Sequence, residues 1–214
     1  KFLVEDGRCR WAFSGSMLGA QFKGVRSYPV GYVHELRMFP LDFEEFCWAT
    51  GVSEGARQTI RDACISERPI PDYIHDAMMA NFRTYTVVGG MPEVVQRFLD
   101  TQGDLASVRQ LQSELNEQYR RDISKYASGR ALQAQSIYDQ LPIMLEGENK
   151  RFVLNSIDPK AHYEKYQRDF VWLVDAGVAL KADIVTEPKS PLLKTARPSQ
   201  FKLYQSDTGM LMAH

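Results

Sequence analysis

The sequence predicts a mainly α chain, with a short α/β stretch at its front and a winged helix-turn-helix with a β-ribbon at its back. Apolar residues recur every three to four positions from residue 53 to 127, the period of a helix. Alternation is confined to short segments: residues 10–14, residues 36–38 and two stretches after Gly177. Three helical segments followed by two alternating ones have the order of a winged helix-turn-helix.

The front of the chain is expected to hold two strands and one helix. Residues 10–14 read as a short strand, and Gly15, Gly19 and Gly24 punctuate the segment after it. Leu36 and Met38 alternate with Glu35, Arg37 and Phe39, and Pro40 closes that strand. Asp42 and Glu45 form a capping-box pair that opens a helix stopping near Gly51.

Four helices are expected next. Residues 55–67 present Ala56, Ile60, Ala63 and Cys64 on one face and stop at Pro69-Ile70-Pro71. A helix from about Asp72 buries Ile74, Ala77, Met78 and Phe82, and Gly89-Gly90-Met91-Pro92 ends it, proline starting a short helix that finishes near Gly103. Asp104 caps a longer helix carrying Leu105, Val108, Leu111, Gln112, Leu115, Tyr119 and Tyr126, out to about Ala127.

The last part of the chain changes pattern. A helix through Leu132, Ile137, Leu141 and Leu145 precedes a short helical stretch at 152–156. Asp158 is then expected to cap a third helix with Pro159 in its first turn, Tyr163, Tyr166, Phe170, Leu173 and Val174 in the core and Gly177 as C-cap. Val178, Leu180, Ala182 and Ile184 alternate, and residues 201–204 pair back across a loop bearing Pro188, Pro191 and Pro198.

Composition narrows the function classes. With 44% hydrophobic and 11% aromatic residues in 214, the chain has material for a packed core. Twenty-six Lys and Arg against 27 Asp and Glu leave no overall field for an anionic partner, so any nucleic-acid contact has to be local. No apolar run is long enough for a membrane span, and the first residues carry acids where a signal peptide would be apolar. Cys9, Cys47 and Cys64 lack metal-ligand spacing and sit among apolar neighbours, which reads as reduced core thiols in a cytoplasmic protein with no metal. The start without Met reads as an excised piece.

The candidate chemistry is sparse. Ser14 and Ser16 sit at a strand end, where a hydroxyl can orient the water that attacks a γ-phosphate or simply cap its own turn. Arg26 and Arg37 flank the segment from Ser27 to Tyr32 and have the charge of an arginine finger, although a surface role suits most arginines. Lys189, Lys194 and Arg197 form a basic wing loop, and Lys160, Lys165 and Arg168 lie on the third helix, where they could meet DNA phosphates and a groove. Glu164 and Asp169 on the same helix weigh toward protein packing. His34, His75, His162 and His214 show no metal spacing.

Six ordered blocks carry a resemblance: Ser14-Gly15-Ser16-Met17-Leu18-Gly19, Tyr28-Pro29-Val30-Gly31-Tyr32, the run from Met38 to Phe46, Gly89-Gly90-Met91-Pro92-Glu93-Val94-Val95, the run from Tyr119 to Tyr126 and the run from Tyr204 to Leu211. Together they resemble a prokaryotic, archaeal-type AAA+ ATPase family with a C-terminal domain of unknown function. The resemblance implies that residues 1–50 are the remnant of an α/β P-loop core with Ser14 or Ser16 at its sensor position. It implies a helical AAA+ lid at 51–118 and a winged-helix part at 119–214.

Similar proteins bind ATP and Mg, but no G-x-x-x-x-G-K-[ST] loop occurs in this sequence, so neither cofactor is expected to be held by these residues. Family members often carry Gly-Arg where this chain has Gly31-Tyr32, which removes an arginine finger from that position. They also continue into a nuclease-like segment that these residues do not include. The chain is therefore expected to be inactive alone, coupling nucleotide state in a parent ATPase to a lid and a winged helix. The alternatives are a winged-helix regulator of duplex DNA and a non-enzymatic interaction module that self-associates.

Overall fold

The computed structural model describes residues 9–12, 14–15, 31, 34–126 and 129–214. The chain is mainly helical: 57% of the described residues are helical, 3₁₀ turns included, in eight α-helices with one small antiparallel sheet of two strands. It divides into two units, residues 40–120 with 205–214 and residues 1–39 with 121–204.

The first unit is built from helices. Helix α1 (Phe43–Ala49) opens with the expected capping box: Asp42 Oδ1 accepts the Glu45 amide at 2.8 Å and Glu45 Oε2 accepts the Asp42 amide at 2.9 Å. Helix α2 (Glu54–Ile65) is capped by Ser53, and α3 (Asp72–Val88) follows Pro71. Pro92 sits in the first turn of α4 (Pro92–Asp100). Asp104 accepts the Ala106 amide at 3.0 Å at the start of α5 (Leu105–Tyr126), whose residues up to Arg120 belong to this unit. A short α8 (Thr208–Met212) packs on α3.

The core of this unit is Phe46, Val88, Val94, Val95, Val108 and Leu111, with Tyr85 and Phe98 against it. The buried face of α3 differs from the expected one. Ile74 and Val88 are buried and Asn81 and Tyr85 half-buried, while Ala77 and Phe82 are exposed. Helix α2 buries no residue fully and Cys64 is exposed, as is Cys9, so Cys47 alone of the three thiols is a core group. The half-apolar face of α2 has the right period, but among the described residues no neighbour closes over it fully, which spacing cannot reveal.

The second unit contains α6 (Ala131–Glu146), a 3₁₀ turn (Leu154–Ser156), α7 (Tyr163–Asp175), β1 (Ala179–Val185), another 3₁₀ turn (Leu192–Lys194) and β2 (Ala196–Gln205), of which residues up to Tyr204 belong here. Helix α7 packs on α6 and on β1. Its start differs from the expected one. Asp158 closes a turn, accepting the Lys160 amide at 2.9 Å, and the helix begins at Tyr163, with His162 as its N-cap. The aspartate satisfies a turn before it can cap a helix, the competition to which short polar side chains are prone.

Phe152, Phe170 and Phe201 form an edge-to-face cluster, with ring centroids 5.2 Å apart for Phe152–Phe170 and 4.8 Å for Phe170–Phe201. Arg130 grips the buried Asp169 through two bonds, Nε to Oδ1 at 2.8 Å and Nη2 to Oδ2 at 2.6 Å. Gly177 has φ 73° and takes the left-handed turn after α7 as expected.

The strands expected at 10–14 and 35–39 are absent among the described residues. Residues 9–12, 14–15 and 34–40 have irregular backbone, and Leu36, Met38 and Phe39 are exposed. A strand exists only where a neighbouring strand pairs with it, and the sheet of the described residues holds β1 and β2 alone.

Candidate functional site

Ser14 and Arg37 are exposed and lie on irregular backbone, and the structure assigns them no shared site. Ser16 and Arg26 lie outside the described residues. Of the basic candidates, Lys160, Lys165, Arg168, Lys189, Lys194 and Arg197 are all exposed. Lys165 pairs with Asp158 at 3.3 Å and Lys189 with Glu187 at 3.2 Å, so part of the positive charge is already answered. The Lys160 amide, and then the Lys165 ammonium, hold the Asp158 carboxyl below its usual range. Asp169, on the same helix, is turned inward to Arg130.

The most constrained polar cluster lies elsewhere, within the first unit, where residues 89–91 meet residues 205–210. Asp207 is the N-cap of α8 and is buried. Its Oδ1 accepts the Met210 amide at 2.8 Å and its Oδ2 accepts the Gly90 amide at 2.6 Å, across 117 residues of sequence. The amides of Gly209 and Met91 also point at the carboxyl.

Neighbouring groups extend the lock. The Gly90 carbonyl accepts the Leu41 amide at 2.7 Å, and the Tyr85 hydroxyl donates to the Leu41 carbonyl at 2.9 Å. Gln112 Nε2 donates to the carbonyls of Val87 and Val88, both at 2.9 Å, and Asn116 Nδ2 to that of Met210 at 3.0 Å. Gln205 Nε2 reaches Asn116 Oδ1 at 3.3 Å. Glycine is required where backbones press together: a Cβ on Gly90 would fall onto the Leu41 carbonyl and one on Gly209 onto that of Val88.

Burial pushes the Asp207 carboxyl above the ordinary aspartate value, and the surrounding amides oppose that shift without cancelling it. Burial likewise raises the Tyr85 hydroxyl, with the Asp207 charge adding to it. Both oxygens of Asp207 are engaged by backbone, so the carboxyl is placed to hold two chain segments together and has no reach to a solute. Among the described residues no group of three or more His, Cys, Asp or Glu has the placement to hold a metal ion.

The lock is not legible from spacing. Helical period puts Gln112 on the inner face of α5 but gives it no partner, and it does not single out Asn116, four residues later. Two amide side chains one turn apart on an apolar helical face are the available signal, because a buried polar group demands a partner. Asp207 stands in the sequence only as a member of the block from Tyr204 to Leu211.

No curated protein and no solved structure matches this chain. A family model described as a domain of unknown function, DUF8612, matches residues 79–214, a span that holds both halves of the Asp207 lock. On that match over more than half its length, the chain belongs to the DUF8612 family.

Proposed function

We propose that this chain is the lid and winged-helix part of an AAA+-like ATPase, and that it transmits nucleotide state mechanically. The observation that carries this reading is the Asp207 lock. A lever must move as one piece, and the lock makes one piece of residues 40–120 and the distant segment 205–214. Further support comes from the order of the second unit, α6, the 3₁₀ turn at Leu154–Ser156, α7 and then the ribbon. There the Phe152 amide donates to the Phe201 carbonyl at 3.2 Å, the position where a winged helix has its third strand.

The residues present do not fit ATP and Mg. Ser14 and Arg37 show no convergence, and the sequence has no glycine-rich loop followed by lysine to cradle phosphates. Phosphoryl chemistry belongs in this reading to a core encoded before Lys1, and the protein works in the cytoplasm.

The test is the longer gene product. A phosphate loop encoded ahead of Lys1, ATP turnover by that protein and no turnover by the 214-residue chain are expected. Asp207→Asn in the longer protein should lower kcat while leaving ATP affinity unchanged. Turnover by the 214-residue chain that is lost on Ser14→Ala or Ser16→Ala would overturn the reading. So would salt-dependent duplex DNA binding without ATPase activity, weakened by neutralising Lys189, Lys194 and Arg197.

A further inference from the structure

Among the described residues the two-stranded ribbon leaves one edge open. Strand β2 is covered on its far side at Phe201, whose carbonyl accepts the Phe152 amide. Among the described residues β1 has no strand on its far side. Its seven residues hold no proline or glycine, its two charges, Lys181 and Asp183, are of opposite sign, and Leu180, Ile184 and Val185 are exposed.

The sequence of β1 is self-complementary. Ala179-Leu180-Lys181-Ala182-Asp183-Ile184-Val185, laid antiparallel against a second copy with Ala182 at the centre, sets Lys181 opposite Asp183, Leu180 opposite Ile184 and Ala179 opposite Val185. Each pair occurs twice, as two-fold symmetry demands. The charged pair is one of opposite sign and the others are apolar, the combinations that stabilise cross-strand neighbours.

The backbone parity agrees. The Thr186 amide points toward β2, where it donates to the Thr195 carbonyl at 3.2 Å. Successive residues of a strand point their amides to opposite sides, so those of residues 179, 181, 183 and 185 point to the open edge. These are the residues that the centred register pairs with one another. Ala182 and its symmetry mate would form a closely spaced pair without hydrogen bonds, and Leu180 would meet Ile184 on the exposed face.

We propose that the open edge of β1 pairs with β1 of a second copy of this chain, joining two ribbons into a four-stranded sheet. This self-pairing rests on β1 alone and stands or falls separately from the ATPase reading. Lys181 now pairs with Asp183 of its own strand, with its ammonium 4.8 Å from the Phe201 ring centre. In the dimer each ammonium lies between its own Asp183 and that of the other copy.

Sedimentation of the full 214-residue chain is expected to show a dimer with a dissociation constant of about 100 μM or tighter. Asp183→Lys sets like charges opposite each other and should return a monomer with an unchanged circular dichroism spectrum. The exchange K181D/D183K restores opposite signs and should restore the dimer. In a Cys9→Ser, Cys64→Ser background, Ala182→Cys should form a disulfide-linked dimer on mild oxidation, because position 182 faces itself. Leu180→Cys should not, because its neighbour is Ile184. A chain that stays monomeric, an Asp183→Lys variant as dimeric as the parent, or linking at position 180 as ready as at 182 would overturn the proposal.

Discussion

The unit of residues 40–120 and 205–214 and the helix-and-ribbon part at residues 121–204 both pack aromatic rings, and differ in what is added to that packing. The first, with Phe43–Phe82 and Phe46–Tyr85 ring centroids 5.1 and 5.3 Å apart, adds groups with direction: one buried carboxylate, two amide side chains and glycines that let backbones touch. The second is closed by a cluster of aromatic rings and one Arg–Asp grip. Directed polar contacts specify one arrangement and tolerate little change, whereas ring packing spreads its contribution over many weak contacts. The first unit should therefore fail sharply on single substitutions and the second should yield by degrees.

The sharpest break is expected at the close approaches. Gly209→Ala or Gly90→Ala drives a methyl into a carbonyl of the facing backbone, at a cost of about 4 kcal/mol. Hydrogen exchange should show residues 40–120 losing protection while α6 and α7 keep theirs. Equal loss in both units would erase the contrast.

Asp207→Ala comes next. It orphans buried amides, including that of Gly90, and should cost about 3 kcal/mol in urea unfolding. Asp207→Asn keeps the shape and one acceptor, so roughly half that loss is expected. The same residue sets a pH dependence. Its carboxyl is raised in the folded chain, so between the unfolded and folded values the native state holds the proton and the unfolded state does not. The contribution of this group is fully present below the ordinary aspartate value and is lost as pH rises through the raised one. Urea midpoints of the parent should carry that downward step above the ordinary aspartate range, and those of Asp207→Asn should lack it.

Arg130→Ala tests the other unit. It leaves the buried Asp169 without its guanidinium, which is itself one-third exposed, and about 2 kcal/mol is expected, read as lost protection in α6 and α7. The smallest effect should come from Phe170→Leu, which keeps an apolar side chain in the ring cluster and should cost about 1.5 kcal/mol. A loss at Phe170 larger than that at Asp207 would reverse the comparison.

Much of the helical layout is legible in the sequence, because period and capping are local. The Asp42–Glu45 box, the stop at Pro69-Ile70-Pro71, the break at Gly89-Gly90 and the turn at Gly177 each depend on a few neighbouring residues. Sequence and structure part where distance matters. Alternation at Leu36 and Met38 implies a strand, but among the described residues no strand pairs with the segment, which is irregular and exposed. Asp158 has the look of a helix cap and closes a turn instead.

By itself the sequence determined where the helices other than α7 begin and end, that the ribbon follows the last long helix, and the palindrome of β1, since each depends on the order of neighbouring side chains. Only the tertiary structure decided that Asp207 meets Gly90, that Cys64 stays outside the core and that, among the described residues, the free edge of the ribbon belongs to β1. The physical reason is that burial, and the hydrogen bond it makes obligatory, depend on which remote segments come together, and the spacing of residues along the chain does not encode that.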